Sequence, residues 1–130
     1  MIVDIYNQLF TILDADLVGI NVEPSYGNYE GDYPLVTLEE SSNNGVPDTF
    51  DSGGERHNDI DFEINIFTIG NTRRSDAMAI RSQIDEIMTS ELGMFRIFSN
   101  PVPNFGDRNI YRYLLRYNCE VDANKQIFRR

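Results

Sequence analysis

Three carboxylates, Asp59, Asp61 and Glu63, occupy alternate positions of the run DIDFEINIF. In an extended chain alternate residues share a face and lie about 7 Å apart, a spacing that two-carboxylate hydrolysis or a hard cation could use. A metal site needs a histidine or a second acidic cluster to complete its shell, and none stands out in the sequence. The simpler reading is the solvated or salt-bridged side of an amphipathic strand.

The other reactive side chains are sparse. His57 is the one histidine and follows Arg56 in a Gly-rich stretch, where a solvent-exposed loop position is expected. A nucleophile for it would have to be presented by a shaped strand-to-helix turn, and no G-x-S-x-G elbow exists. Cys119 is the single cysteine, so an internal disulfide and a cysteine-based zinc site are both excluded. It shares a predicted face with Tyr117 and Val121 and reads as a small buried hydrophobe. Neither glycine-rich phosphate-binding motif is present, and Gly53 and Gly54 fit a turn tip. No catalytic residue, metal ligand or cofactor site is expected. Arg73 and Arg74 fall just ahead of a predicted helix, where the dipole disfavours cations, so they either have an acidic partner, on this chain or another, or are two exposed arginines in a turn.

The elements that must carry these residues follow from periodicity. Ile2, Ile5, Tyr6, Leu9, Ile12 and Leu13 repeat at helical spacing and predict a helix over residues 2 to 14. A short strand is expected over 18 to 22, then a turn-rich loop containing Tyr26, Tyr29 and Tyr33. LVTLE at 35 to 39 reads as a strand. Residues 40 to 58, ESSNNGVPDTFDSGGERHN, have almost nothing to bury and read as a long polar loop, either a functional arm or a long extended hairpin tip.

Ile60, Phe62, Ile64 and Ile66 alternate with polar residues, a period of two that only a strand can bury on one side. A helix is expected from Ser75, which could cap it, with Ala77, Ile80, Ile84, Ile87 and Met88 inward. MFRIF at 94 to 98 predicts a strand stopped by Asn100, Pro101 and Pro103. A long strand then places Tyr111, Tyr113, Leu115, Tyr117, Cys119 and Val121 on one face, with a tail, QIFRR, able to pair back. The expected fold is α+β: one domain over residues 1 to 130, a mostly antiparallel β-sheet with two α-helices packed on one side. Antiparallel pairing of residues 59 to 67 with 108 to 118 would set Asp59, Asp61 and Glu63 against Arg108, Arg112 and Arg116.

At 130 residues, 41% hydrophobic and 25% charged, the chain can bury one substantial core. No apolar run is long enough to span a membrane, and Asp4 stands where a signal peptide carries positive charge, so synthesis in a reducing cytoplasm is expected. The net charge of -10 is uneven: residues 1 to 63 hold fourteen acids and one base, whereas residues 64 to 130 hold seven acids and ten bases. A basic field for holding nucleic acid is missing, and two surfaces of different sign suit a subunit that meets neighbours in a fixed orientation.

YPLVTLEE, a polar gap, DIDFEINIF, SDAMAIRSQIDEIM and NIYRYLLRYNCEVD together resemble, in order and texture over nearly the whole chain, the tail-terminator (tail-completion) proteins of long-tailed bacteriophages and their neck-protein relatives. The resemblance implies a ring, usually a hexamer, that caps the tail tube and offers a docking surface for the head. It implies a virion protein with no catalytic residues, whose partners are further copies, the tail tube protein and head-tail connector proteins. DNA would pass its channel without sequence-specific binding, and an acidic wall would keep phosphates moving. Candidate subunit or channel contacts are Asp48, Asp51, Glu55 and Arg56 in the polar loop, and Arg73 and Arg74. A head-to-tail adaptor or stopper shares this logic. A small carboxylate-dependent enzyme predicts instead a pocket around Asp59, Asp61 or Glu63, and a ligand-binding module with a tyrosine-rich loop predicts a monomer.

Overall fold

A computed structural model describes residues 2 to 24, 33 to 46, 57 to 103 and 109 to 128. In chain order these residues form α1 (Tyr6–Asp16), β1 (Asn21–Pro24), β2 (Leu35–Gly45), β3 (His57–Thr68), α2 (Arg73–Asp85), a π-helical turn (Glu86–Glu91), β4 (Phe95–Val102), β5 (Tyr111–Asp122) and β6 (Ile127–Phe128). The sheet runs β1-β2-β3-β5-β4, and β6 pairs with β5 beyond the end of β4. All neighbours are antiparallel except β1 and β2. The α+β class expected from the sequence is therefore observed.

The period of two decides the core. Ile60, Phe62, Ile64 and Ile66 are fully buried, and the register sets them against Cys119, Tyr117, Leu115 and Tyr113 of β5. Val36 and Leu38 continue that layer on β2 opposite Ile66 and Ile64. Leu9 and Leu13 of α1 and Ala77, Ile80 and Ile84 of α2 belong to the same buried cluster, which the π-helical turn extends with Ile87 and Met88. Burying a side chain of this size contributes roughly 1.5 to 3 kcal/mol, so this layer dominates folding.

Several boundaries differ from expectation. α1 begins at Tyr6 rather than residue 2: the Asp4 carboxylate accepts the Tyr6 amide at 3.0 Å, and Ile2 is 79% exposed. Val18 lies in a turn, and β1 starts three residues after it. The polar loop is shorter than residues 40 to 58, because β2 continues to Gly45 and β3 begins at His57. Cross-strand bonds carry these polar residues, with a bulge at Ser41.

α2 starts two residues before Ser75, so Arg73 and Arg74 form its first turn, and Thr72 takes the cap position without a cap bond to the backbone. Gly70, at φ +93°, makes the preceding turn, and its carbonyl accepts both the amide and the guanidinium of Arg73. β4 continues past Asn100 and Pro101 to Val102. Proline is tolerated there because, among the described residues, β4 is at the sheet edge, where one row of amides needs no partner. The tail does pair back, as β6.

Candidate interaction surface

The face of β3 and β5 opposite the buried row Ile60, Phe62, Ile64 and Ile66 carries the sequence-predicted carboxylates. The strands pair as expected, but the register aligns only one of the three proposed charge pairs: Glu63 opposes Arg116, whereas Asp61 opposes Asn118, Asp59 opposes Glu120 and Arg112 opposes Phe67. Arg108 lies outside the described residues.

Each polar group on this face has a specific partner. The Asn118 amide donates to Asp59 Oδ1 and to Asp61 Oδ1, at 2.5 and 2.7 Å, holding two carboxylates with one side chain. Arg116 donates through Nε and Nη2 to Glu63 Oε1 and places its guanidinium over the Phe98 ring. Arg112 Nε donates to Asn65 Oδ1 at 2.8 Å and lies over Phe67. Stacking of guanidinium on ring adds apolar contact to the charge-assisted bonds. The face is not uniformly wet, since Leu35, Thr37, Asn65 and Leu114 are buried on it.

His57 is a strand residue rather than an exposed loop residue. Its ring stacks on Phe128 with centroids 4.7 Å apart, and Nδ1 lies 3.3 Å from Glu120 Oε2. Cys119 is buried, matching its expected place. Nearer the open end of β2, burial and the neighbouring Asp4 charge raise the Glu40 carboxyl above its ordinary value, against the lowering effect of the Asn43 amide.

Chemically, the ladder can hold shape and present charge. Among the described residues no group of three or more His, Cys, Asp or Glu gathers in a metal-binding arrangement. No helix among them is long and apolar enough to cross a membrane. Asp48, Asp51, Glu55 and Arg56, proposed as contacts, lie outside the described residues, as do Tyr26, Tyr29, Gly53 and Gly54. Arg73 and Arg74 are both exposed; Arg73 is engaged by the Gly70 carbonyl rather than by an acid.

Sequence reasoning missed the apolar side chains at the sheet edge. Phe95 and Ile97 of β4 are 55% and 48% exposed, beside a bulge between Arg96 and Phe98. Their signal was in the text, since FRIF carries an apolar residue on both sides of the strand. An apolar groove of about 210 Å³ is lined by Ile5, Leu9, Ile12, Leu92, Met94 and Ile127, together with Gln8 and Lys125. Compared with protein-family models and with curated proteins, the chain matches none.

Proposed function

We propose that the chain is a structural subunit of a phage virion, a tail terminator whose copies form a ring, in number about six as the resemblance implies, that caps the tail tube and joins it to the head. In this reading α1 and α2 cover one face of the sheet, the opposite polar face keeps its shape, and the edge of β4 meets a neighbour. The observation that supports it best is that edge: Phe95 and Ile97 stand exposed on a strand whose outer backbone pairs with no other strand among the described residues. Such an edge is a template for another chain unless something covers it. The side chains of the polar face are spent on one another, which agrees with a protein that makes no bonds and breaks none.

Purified chain mixed with tail tubes should cap one tube end in electron micrographs. Phe95→Asp with Ile97→Asp should leave the monomer folded and abolish capping. If tubes stay bare with the unaltered protein, the terminator reading is rejected; a protein that instead binds isolated head connectors is the adaptor or stopper.

A further inference from the structure

A second polar cluster lies on the helical side of the sheet, away from the ladder. A pocket of about 250 Å³ opens between α2 and β4, lined by Arg81, Ser82, Asp85, Arg96 and Ser99. Its acceptors are committed. Asp85 Oδ1 takes the buried Tyr117 hydroxyl at 2.9 Å, and Oδ2 takes Arg96 Nη1 at 3.0 Å. Ser82 donates its hydroxyl to the Met78 carbonyl.

Its arginine donors are only partly committed. Arg81 Nη1 gives one bond to Tyr113 Oη at 3.1 Å, and Tyr113 Oη lies 2.7 Å from Ser99 Oγ. Arginine can only donate, so Tyr113 accepts from Arg81, while in the bond between Tyr113 and Ser99 either hydroxyl can be the donor. Where Tyr113 is the donor, the Ser99 hydrogen is available to a ligand in the pocket. Arg81 and Arg96 likewise keep most of their five N–H donors each. At Tyr113 the surroundings favour negative charge: burial pushes its phenol up, yet the bonds with Ser99 and Arg81 and the two guanidiniums outweigh it and hold the phenol below its ordinary value.

We propose that this pocket binds a phosphate group, gripped by Arg81 from the helix and by Arg96 and Ser99 from the strand. Donors arriving from two walls suit a tetrahedral oxyanion better than a planar carboxylate, which one guanidinium fork would satisfy. Asp85 fixes Arg96 in place and also repels the ligand, so affinity is weak and rises when that charge is removed.

The full chain should be titrated with inorganic phosphate, and separately with glycerol phosphate, against sodium chloride at matched ionic strength, while amide and guanidinium NMR signals are followed. Saturable shifts confined to residues 81 to 85 and 96 to 99, with millimolar affinity, are expected. Arg81→Gln and Arg96→Gln should each weaken binding about tenfold or more, Ser99→Ala less, and Asp85→Asn, which keeps the acceptor for Tyr117, should tighten it. Response to inorganic phosphate identifies the free ion as a sufficient ligand, and response to the ester alone identifies an esterified source; both support the site. Shifts that never saturate with either probe, or that persist unchanged in folded Arg81→Gln and Arg96→Gln, overturn it.

Discussion

Tyr117, with no exposed surface, donates its hydroxyl to Asp85 Oδ1 across the gap between β5 and α2. Burial first, then the bond to Asp85 and its charge, push the phenol well above its ordinary value. Tyr117→Phe should lower stability by about 1 to 2 kcal/mol, the usual effect of losing a bond to a charged acceptor that keeps another partner. The sign with pH follows. The unfolded chain releases this proton near its ordinary pKa of 10.0 while the folded chain retains it, so wild-type stability falls as pH rises beyond that value. Tyr117→Phe should show less of this alkaline loss in urea titrations at successive pH values.

Glu63 and Arg116 offer a contrast, since both arginine donors reach the same carboxylate oxygen and the arginine side chain is 47% exposed. A double-mutant cycle with Glu63→Gln and Arg116→Met should give a coupling of about 0.2 to 1 kcal/mol, shrinking with added salt. A coupling several times larger would mean that the polar face carries folding energy now assigned to the core.

On the adjacent residue the expectation reverses. Ile64 is fully buried at the middle of β3, and Ile64→Ala should cost about 2 to 5 kcal/mol. Asp61→Asn, three residues away on the opposite face, should stay near neutral, because the Asn118 amide still finds an oxygen there. Chemical denaturation of the two variants side by side measures the difference.

What the sequence disclosed depended on how local the deciding physics was. β3 and the inward face of β5 could be read residue by residue, because alternation between apolar and polar positions reflects the buried face directly. The extension of β2 through Ser42 to Gly45 could not, since those residues have poor strand propensity and are held by bonds to β3. Pro101 misled for a related reason: it excludes a central strand, but only the sheet order reveals that β4 is an edge. That acids of β3 would face arginines of β5 was foreseen, and Glu63 with Arg116 is such a pair; Asn118 holding two aspartates was not foreseen, because register is set by the whole strand pair. The phosphate pocket was invisible for the same reason, although Arg81 and Asp85, one helical turn apart, hinted at a shared polar face.

Glu40 supplies a test by pH. Its carboxyl is raised by burial and by Asp4, so the folded chain holds a proton that the unfolded chain gives up near 4.5. Wild-type stability should therefore decline slightly as pH climbs past that value, and Glu40→Gln should gain on it at neutral pH while matching it in acid. Solvent screening keeps the gain below about 0.5 kcal/mol. Thermal midpoints at pH 4 and pH 7, in round terms about those values, would measure it.

The longest ladder in the sheet ties β3 to β5, with Thr68 meeting Tyr111 at one end and His57 meeting Asp122 at the other. All of α2 and β4 must be looped out before the first of these pairs can form. Loop closure is costly at that first contact and nearly free afterwards, because each later pair lengthens the loop only slightly. Refolding should therefore be nucleated at the Thr68 end, zip toward His57, and proceed over milliseconds to seconds, as expected for non-local strand topologies.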